Sequence, residues 1–380
     1  MKMRGALLKS ALVAALGGLL FGFDTAVISG AEGALRELYS GRYLSLSELF
    51  GSEGFWHGFT VASALIGTII GSFIFGKPVD KYGRRKILFV LGALYFISAI
   101  GSALAWGWSS FVVFRFIGGL GVGGSSVIAP MYNAEISPAK FRGRMVALTQ
   151  FNIVFGFLLA FISNYILSSL NLGDIAWRWM FGVEAIPALV FFLLLFFNPR
   201  SPRWLVSKNL LDEARHVIEK LGSDKDNVDD EIIEIQNSLF AEKETAIESL
   251  FQPKYFKPIM LAMAIAMFNQ LSGINAIMYY NPRIFQMAGF EESSAMLSSV
   301  GVGIVNLIFT VLAMLIIDHF GRKKLMVVGS VGYIMSLGAI AWAFYLNRTE
   351  FSDTGSIVVL VSLLVFISSH AFGQGAVIWV

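Results

Sequence analysis

The sequence predicts an all-α polytopic membrane protein, arranged as two six-helix halves with ten spans present in this chain. Three observations carry that prediction. Of 380 residues, 56% are hydrophobic and only 14% charged, where a soluble domain carries about 25% charged residues. Ten stretches nearly free of Asp, Glu, Lys and Arg approach the length that crosses a bilayer, about 20 residues. One basic loop motif occurs twice at equivalent places.

The ten stretches lie near residues 10–30, 56–76, 87–107, 109–130, 145–168, 176–197, 257–282, 294–317, 325–346 and 356–380. Basic residues cluster in alternate loops: Lys77, Lys81, Arg84, Arg85 and Lys86, then Lys140, Arg142 and Arg144, then Arg322, Lys323 and Lys324. Loops 107–109 and 169–175 carry none. The positive-inside rule puts the N-terminus in the cytoplasm, and a cell (inner) membrane, multi-pass location is expected. The N-terminal Lys2, Arg4 and Lys9 before an apolar run imitate a signal peptide. No small-residue cleavage site follows, and Asp24 interrupts the run.

Residues 1–198 are expected to form the N-terminal transmembrane half and 257–380 the C-terminal half, with 199–256 as a cytoplasmic helical linker. In that linker Ser201-Pro202 reads as an N-cap followed by proline at the first helical position. Residues 208–221 and 228–245 look like short amphipathic helices. The loop motif Asp80-Lys-Tyr-Gly83-Arg84-Arg85-Lys86 recurs as Asp318-His-Phe-Gly321-Arg322-Lys323-Lys324, the mark of a duplicated half. Six spans in one half against four in the other, with an end at Trp379-Val380 inside an apolar stretch, lead us to expect a fragment.

Several function classes are disfavoured. A net charge of +3 gives no support to nucleic-acid binding. Cysteine is absent, which removes disulfides and thiolate chemistry. His57, His216, His319 and His370 show no ligand spacing, so no metal and no cofactor is expected. His370 reads as a packed neutral imidazole. Gly71-x-x-x-x-Gly76-Lys77-Pro78 nearly spells a phosphate loop, but proline replaces the metal-binding hydroxyl. Gly119-x-Gly121-x-x-Gly124 spells a dinucleotide fingerprint without its strand. Gly67-x-x-x-Gly71 and Gly119-x-x-x-Gly123 read better as close-packing helix faces. Asn347-Arg-Thr349 is a formal glycosylation sequon of little weight. No nucleophile–base pair is evident, so no enzyme activity is expected.

Charges within a span are costly and mark function or structure. Asp24, Arg115 and Glu184 fall in the first, fourth and sixth stretches, all roughly 9–12 Å below one surface at ~1.5 Å per residue. One reading is a static ion pair that fixes helix order. The other is a proton-coupling site, in which Arg115 favours the charged carboxylate and burial the neutral one. Gln150, Asn269, Gln270, Asn275 and Asn306 supply carboxamides near mid-membrane, able to donate and accept as sugar hydroxyls do. Singly, each could instead bond helix to helix. Phe21, Tyr279 and Trp379 are aromatic faces for a pyranose. The lack of a further unpaired basic residue in the spans argues against an anionic substrate.

These segments resemble the sugar porter family of the major facilitator superfamily, most of all bacterial proton–xylose symporters. The resemblance rests on Phe21-Gly-Phe-Asp24-Thr-Ala-Val-Ile-Ser-Gly30, Gly76-x-x-x-Asp80-x-x-Gly83-Arg84-Arg85 and Arg115 with its glycine-rich helix. Pro130-Met-Tyr-x-Ala-Glu135-Ile-Ser-Pro138 with Arg142-Gly143, Ser201-Pro-Arg-Trp204-Leu and Gln270-x-x-Gly273-x-Asn275 add to it. It implies a major facilitator fold and monosaccharide uptake coupled to proton symport by alternating access, with a lipid bilayer as the environment and a functional monomer. A uniporter or a non-transporting sugar receptor are the alternatives.

The resemblance further implies that Asp24 takes the proton, gated by Arg115 with help from Glu184. It implies that Gln150, Gln270, Asn275, Asn306, Gly375 and Trp379 belong to the sugar site, beside Phe21, Asn269 and Tyr279. Asp80, Gly83, Arg84, Arg85, Glu135 and Arg142, with Asp318, Gly321 and Arg322 in the second copy, match a cytoplasmic charge network. Three departures stand out. Arg200 replaces a glutamate before Ser201, which puts one network contact in question. Asn269 replaces a glutamine, and Gly375-Ala376 replaces Gly-Pro where a helix bends.

Overall fold

The computed structural model describes residues 5–221, 228–245, 252–347, 351–375 and 377, and among them every regular element is helical. Ten helical segments are long and apolar enough to cross a membrane: Gly5–Leu38, Glu53–Ile74, Arg84–Ala103, Trp108–Ile136, Phe141–Ser169, Gly173–Phe197, Pro253–Tyr279, Glu292–Ile317, Arg322–Leu346 and Asp353–Gly375. They are numbered here as spans 1 to 10. Ile69, Phe73, Ile186 and Leu315 stay more than half exposed, as side chains facing hydrocarbon would be.

The spans match the expected stretches, with differences that have local causes. Span 1 continues past residue 30 through Glu32, whose carboxylate finds partners and so tolerates burial. A short helix Ser40–Ser47, not anticipated, follows it and buries Tyr43. Span 6 breaks at Glu184 between Ala176–Val183 and Ala185–Leu194. Pro187 explains the break: it lacks an N–H and its ring crowds the carbonyl four residues back. Span 7 breaks at Gly273, which takes φ +83, a left-handed conformation that glycine adopts without a Cβ penalty. Helix Ile274–Tyr279 follows the break, then Asn281–Met287 with Pro282 in its first turn.

Spans 2 and 4 touch backbone to backbone. A Cβ added at Gly119 would run into the Ala64 carbonyl and come within 2.9 Å of the Gly67 Cα. One added at Gly123 would meet the Thr68 carbonyl. The small-residue faces read from the sequence are therefore the contact itself. Gly22 and Gly156 do the same between spans 1 and 5.

The duplicated loop motif repeats in three dimensions. Gly83 between spans 2 and 3 takes φ 88, ψ 153, and Gly321 between spans 8 and 9 takes φ 79, ψ 145. Both turns lie on what we term the basic face. There Ser201 caps helix Pro202–Ser207 by accepting from the Trp204 N–H. Helix Leu211–Leu221 buries Ala214, Val217, Ile218 and Leu221, and helix Val228–Thr245 follows. These side chains join Leu205 of helix Pro202–Ser207 and Leu88, Tyr132 and Leu195 of the membrane helices in one apolar cluster. A second cluster, around Phe23, Phe111, Phe161, Trp177 and Phe181, lies toward the opposite face and takes in Ile274, Met278 and Tyr279 from beyond the span 7 break.

Candidate functional site

Asp24, Arg115 and Glu184 come together in the interior of spans 1, 4 and 6. Their side chains are almost fully buried. Arg115 Nη1 donates to Asp24 Oδ1 at 2.6 Å, and Nη2 donates to the Asp24 backbone carbonyl at 3.0 Å. The guanidinium carbon stands 5.3 Å from the Phe181 ring centroid. Glu184 sits close enough to feel both charges, yet among the described residues neither of its carboxylate oxygens meets a hydrogen-bond donor. Asp24 Oδ2 is likewise unbonded. The glycines of span 4 make room for the cluster: a Cβ on Gly118 would touch Ser98 and lie 3.1 Å from Asp24 Oδ1. One cation thus stands beside two carboxylates in a place poor in other partners.

Tyr279 connects this cluster to span 7. It is buried and lies within electrostatic reach of both Arg115 and Asp24. Four residues before it, Asn275 Nδ2 donates to Gln270 Oε1 at 2.7 Å across the Gly273 turn. That turn is why the two carboxamides meet, because an uninterrupted helix would not aim residues five apart at each other. Gln270 is exposed and Asn269 beside it buried. Asn269 lines a cavity of about 260 Å³ together with Ala262, Ile265, Met326, Gln374 and Val377. Gln150 of span 5 is half-buried with its Oε1 unbonded, Asn306 of span 8 is buried, and Phe21 is half-buried. Gly375 ends a π-helical turn, Ala371–Gly375. Trp379 lies outside the described residues. His370 packs inside, its Nδ1 2.6 Å from the Tyr333 hydroxyl.

On the basic face, Arg84 bridges Glu135 at 2.8 Å and Asp80 at 3.2 Å. Ser201 donates to the other Glu135 oxygen at 2.5 Å. Arg85 donates to the Leu195 and Phe196 carbonyls, and Trp204 Nε1 to the Asp80 carbonyl. Gly83 makes the turn, and Trp204 covers it. Arg200 pairs with Glu213 of the linker at 3.1 Å rather than with this network. Arg142 is exposed and makes no ion pair among the described residues. In the second copy Gly321 makes the equivalent turn and Arg322 is exposed, while the Asp318 side chain lies outside the described residues.

The model of the family described as sugar (and other) transporter matches residues 10–380. This chain belongs to that sugar transporter family. The D-xylose-proton symporter of Escherichia coli strain K12 is 38% identical to this transporter, over 97% of this chain and 77% of the relative. The arabinose-proton symporter of Bacillus subtilis is 36% identical over 97% and 76%. A solved structure of the E. coli xylose transporter XylE, in a partially occluded inward open conformation, superposes with a TM-score of 0.86 at 35% identity, covering 99% of this chain and 86% of the other. The fold is accordingly the major facilitator fold, the protein is a multi-pass membrane sugar transporter, and its relatives are transporters rather than enzymes.

Reading the sequence alone missed three residues, Glu32, His57 and Arg283, which meet at one carboxylate oxygen. Their signal was available. Each falls within one or two residues of the same end of an expected span, which is a single level in the bilayer.

Proposed function

We propose that this transporter moves a monosaccharide, a hexose or pentose, together with a proton by alternating access. The observation that carries the reading is the buried pair of Arg115 and Asp24 with Glu184 beside it, two carboxylates sharing one guanidinium. In this reading the basic face and the N-terminus are cytoplasmic, and the opposite face is outer. Residues 1–198 and 257–380 rock as two transmembrane halves joined by the 199–256 linker, and one copy suffices, in a cell (inner) membrane. The proton enters on Asp24 when Arg115 swings away, with Glu184 holding the guanidinium meanwhile. Gln150, Gln270, Asn275 and Asn306 bond the sugar hydroxyls, Asn269 does so with a shorter reach, and Phe21, Tyr279 and Trp379 wall its apolar faces. Tyr279 touches on both sites, and so can report sugar occupancy to the charged cluster. Asp80, Arg84, Arg85, Glu135 and Arg142, with Asp318 and Arg322, latch the cytoplasmic side while the outer side is open.

The reading is supported by similarity to a xylose and an arabinose symporter. Its test is uptake by the full-length protein in proteoliposomes, across a panel of neutral and anionic sugars, with and without an imposed pH gradient. Accumulation of a neutral monosaccharide only with the gradient is expected. Gradient-independent equilibration of the same sugar would make it a uniporter, and transport of sugar acids alone would overturn the substrate class.

A further inference from the structure

Glu32 is a carboxylate near the outer end of span 1, 3% exposed and eight residues from Asp24, which is ~12 Å along the helix. No step of the proposed transport mechanism uses it. One oxygen, Oε1, accepts from His57 Nε2 of span 2 at 2.6 Å and from Arg283 Nη1 at 2.7 Å. Arg283 belongs to helix Asn281–Met287, which follows the broken span 7. Spans 1 and 2 lie in the first half of the chain and Arg283 in the second, 251 residues on. A single oxygen therefore ties the two halves at their outer ends.

The surroundings suit a closure rather than a passive surface pair. The His57 ring packs edge-on to Tyr43 at 5.6 Å and near Tyr280 at 6.3 Å, so aromatic rings from three segments flank the charges. Just inside, Ile274, Met278 and Tyr279 pack with Phe23 and Val27 in the apolar cluster above the Asp24 pair. Just outside lies a cavity of about 320 Å³, lined by Glu32, Arg283, Asn171, Asp174, Glu292 and Met296 among others. The charged knot stands between that vestibule and the buried carboxylates.

We infer that Glu32, His57 and Arg283 form an outer latch that holds the extracellular side shut. With the halves together, Glu32 is desolvated and bonded twice. Once they separate, Arg283 and Glu32 are hydrated apart. Removing Glu32 leaves Arg283 unpaired and removing Arg283 leaves Glu32 only His57, a loss felt while the halves are together, so the balance moves toward the outward-open form. His57 is the positioning residue: it lies between the Tyr43 and Tyr280 rings and aims Glu32 at Arg283. The inference needs alternating access, but neither a particular sugar nor proton coupling.

These 380 residues contain no cysteine, and any cysteine elsewhere in the protein would first be replaced by serine to give a clean reporter background. Met296 lines the vestibule yet is 5% exposed, so Met296→Cys in the full-length protein in right-side-out vesicles would be read by its rate of reaction with an impermeant maleimide. Glu32→Gln and Arg283→Gln should each raise that rate about tenfold, the population shift that about 1.4 kcal/mol produces. The charge-swapped pair Glu32→Arg with Arg283→Glu should return it toward the parent rate. His57→Gln, which keeps a donor, should change it less than His57→Ala. Sugar binding measured on the same preparations separates misfolding from opening. Rates unchanged by both single substitutions in sugar-binding protein, or a swapped pair no slower than the singles, would overturn the latch. Neither result would bear on whether the protein carries sugar.

Discussion

Arg115 reaches Asp24 twice, once at the carboxylate and once at the backbone carbonyl. The second bond fixes the guanidinium to the helix itself, whatever the charge on the side chain. Loss of the carboxylate charge would leave only the backbone bond, weak enough for Arg115 to swing toward Glu184 and placed so as to receive it again each cycle. Breaking a buried pair from one side costs about 3–5 kcal/mol. Arg115→Leu should therefore lower thermal stability markedly in detergent. Adding Asp24→Asn to that variant should recover part of the loss, since of the two carboxylates Glu184 alone is then left without the guanidinium. A double variant as unstable as the single would mean that Arg115 acts through packing on Phe181 instead.

Substitution at Gln270 addresses the sugar. A sugar hydroxyl that loses its carboxamide inside the site costs about 1–3 kcal/mol, or roughly tenfold to a hundredfold in affinity. Gln270→Ala should weaken binding by that much, and Asn275→Ala by at least as much, because Asn275 also orients Gln270. Calorimetric titration with the transported sugar measures both, and an unchanged affinity in Gln270→Ala would remove that residue from the site.

The glycines of span 4 make a graded test of packing. Gly119→Ala drives a methyl into the Ala64 carbonyl, whereas at Gly121 the added carbon meets only the Tyr95 ring at 3.5 Å. Overpacking costs typically about 1–3 kcal/mol, so Gly119→Ala should lower the melting temperature while Gly121→Ala leaves it nearly unchanged. Equal melting temperatures would mean that spans 2 and 4 separate easily.

Topology is checked by proteolysis. Lys208 is exposed between helices Pro202–Ser207 and Leu211–Leu221. Trypsin should cut near it in inside-out vesicles and leave it intact in right-side-out ones. Cleavage from the outside would invert the orientation.

The sequence carried the architecture because lipid removes choices. A span must be apolar over about 20 residues, so ten spans could be counted with no knowledge of packing. Glycine spacing marked small-residue faces on spans 2 and 4, and depth placed Asp24, Arg115 and Glu184 at one level. What depth could not supply was azimuth. Nothing in the sequence separated Asp24 from Glu184 as the direct partner, since both lie at Arg115's level. The breaks in spans 6 and 7 were within reach, at Pro187 and Gly273, but a hydropathy scan averages over them. Glu32, His57 and Arg283 escaped because charges at span ends are ordinary. Their shared level in the bilayer was legible, but it took three-dimensional proximity to tell a knot of three from three solvated ends.

The central claim is that Asp24 is the group through which a proton drives sugar uptake. A proton crossing the membrane supplies about 2.3 kcal/mol per 100 mV, which is roughly fiftyfold accumulation. Asp24→Asn keeps the shape of the side chain and removes its titration. In proteoliposomes holding the full-length protein, the account predicts that this variant still binds sugar and exchanges it across the membrane, yet fails to concentrate it when an inward proton gradient is imposed. Uphill accumulation by Asp24→Asn that still follows the proton gradient would contradict the account, and would pass the coupling role to Glu184.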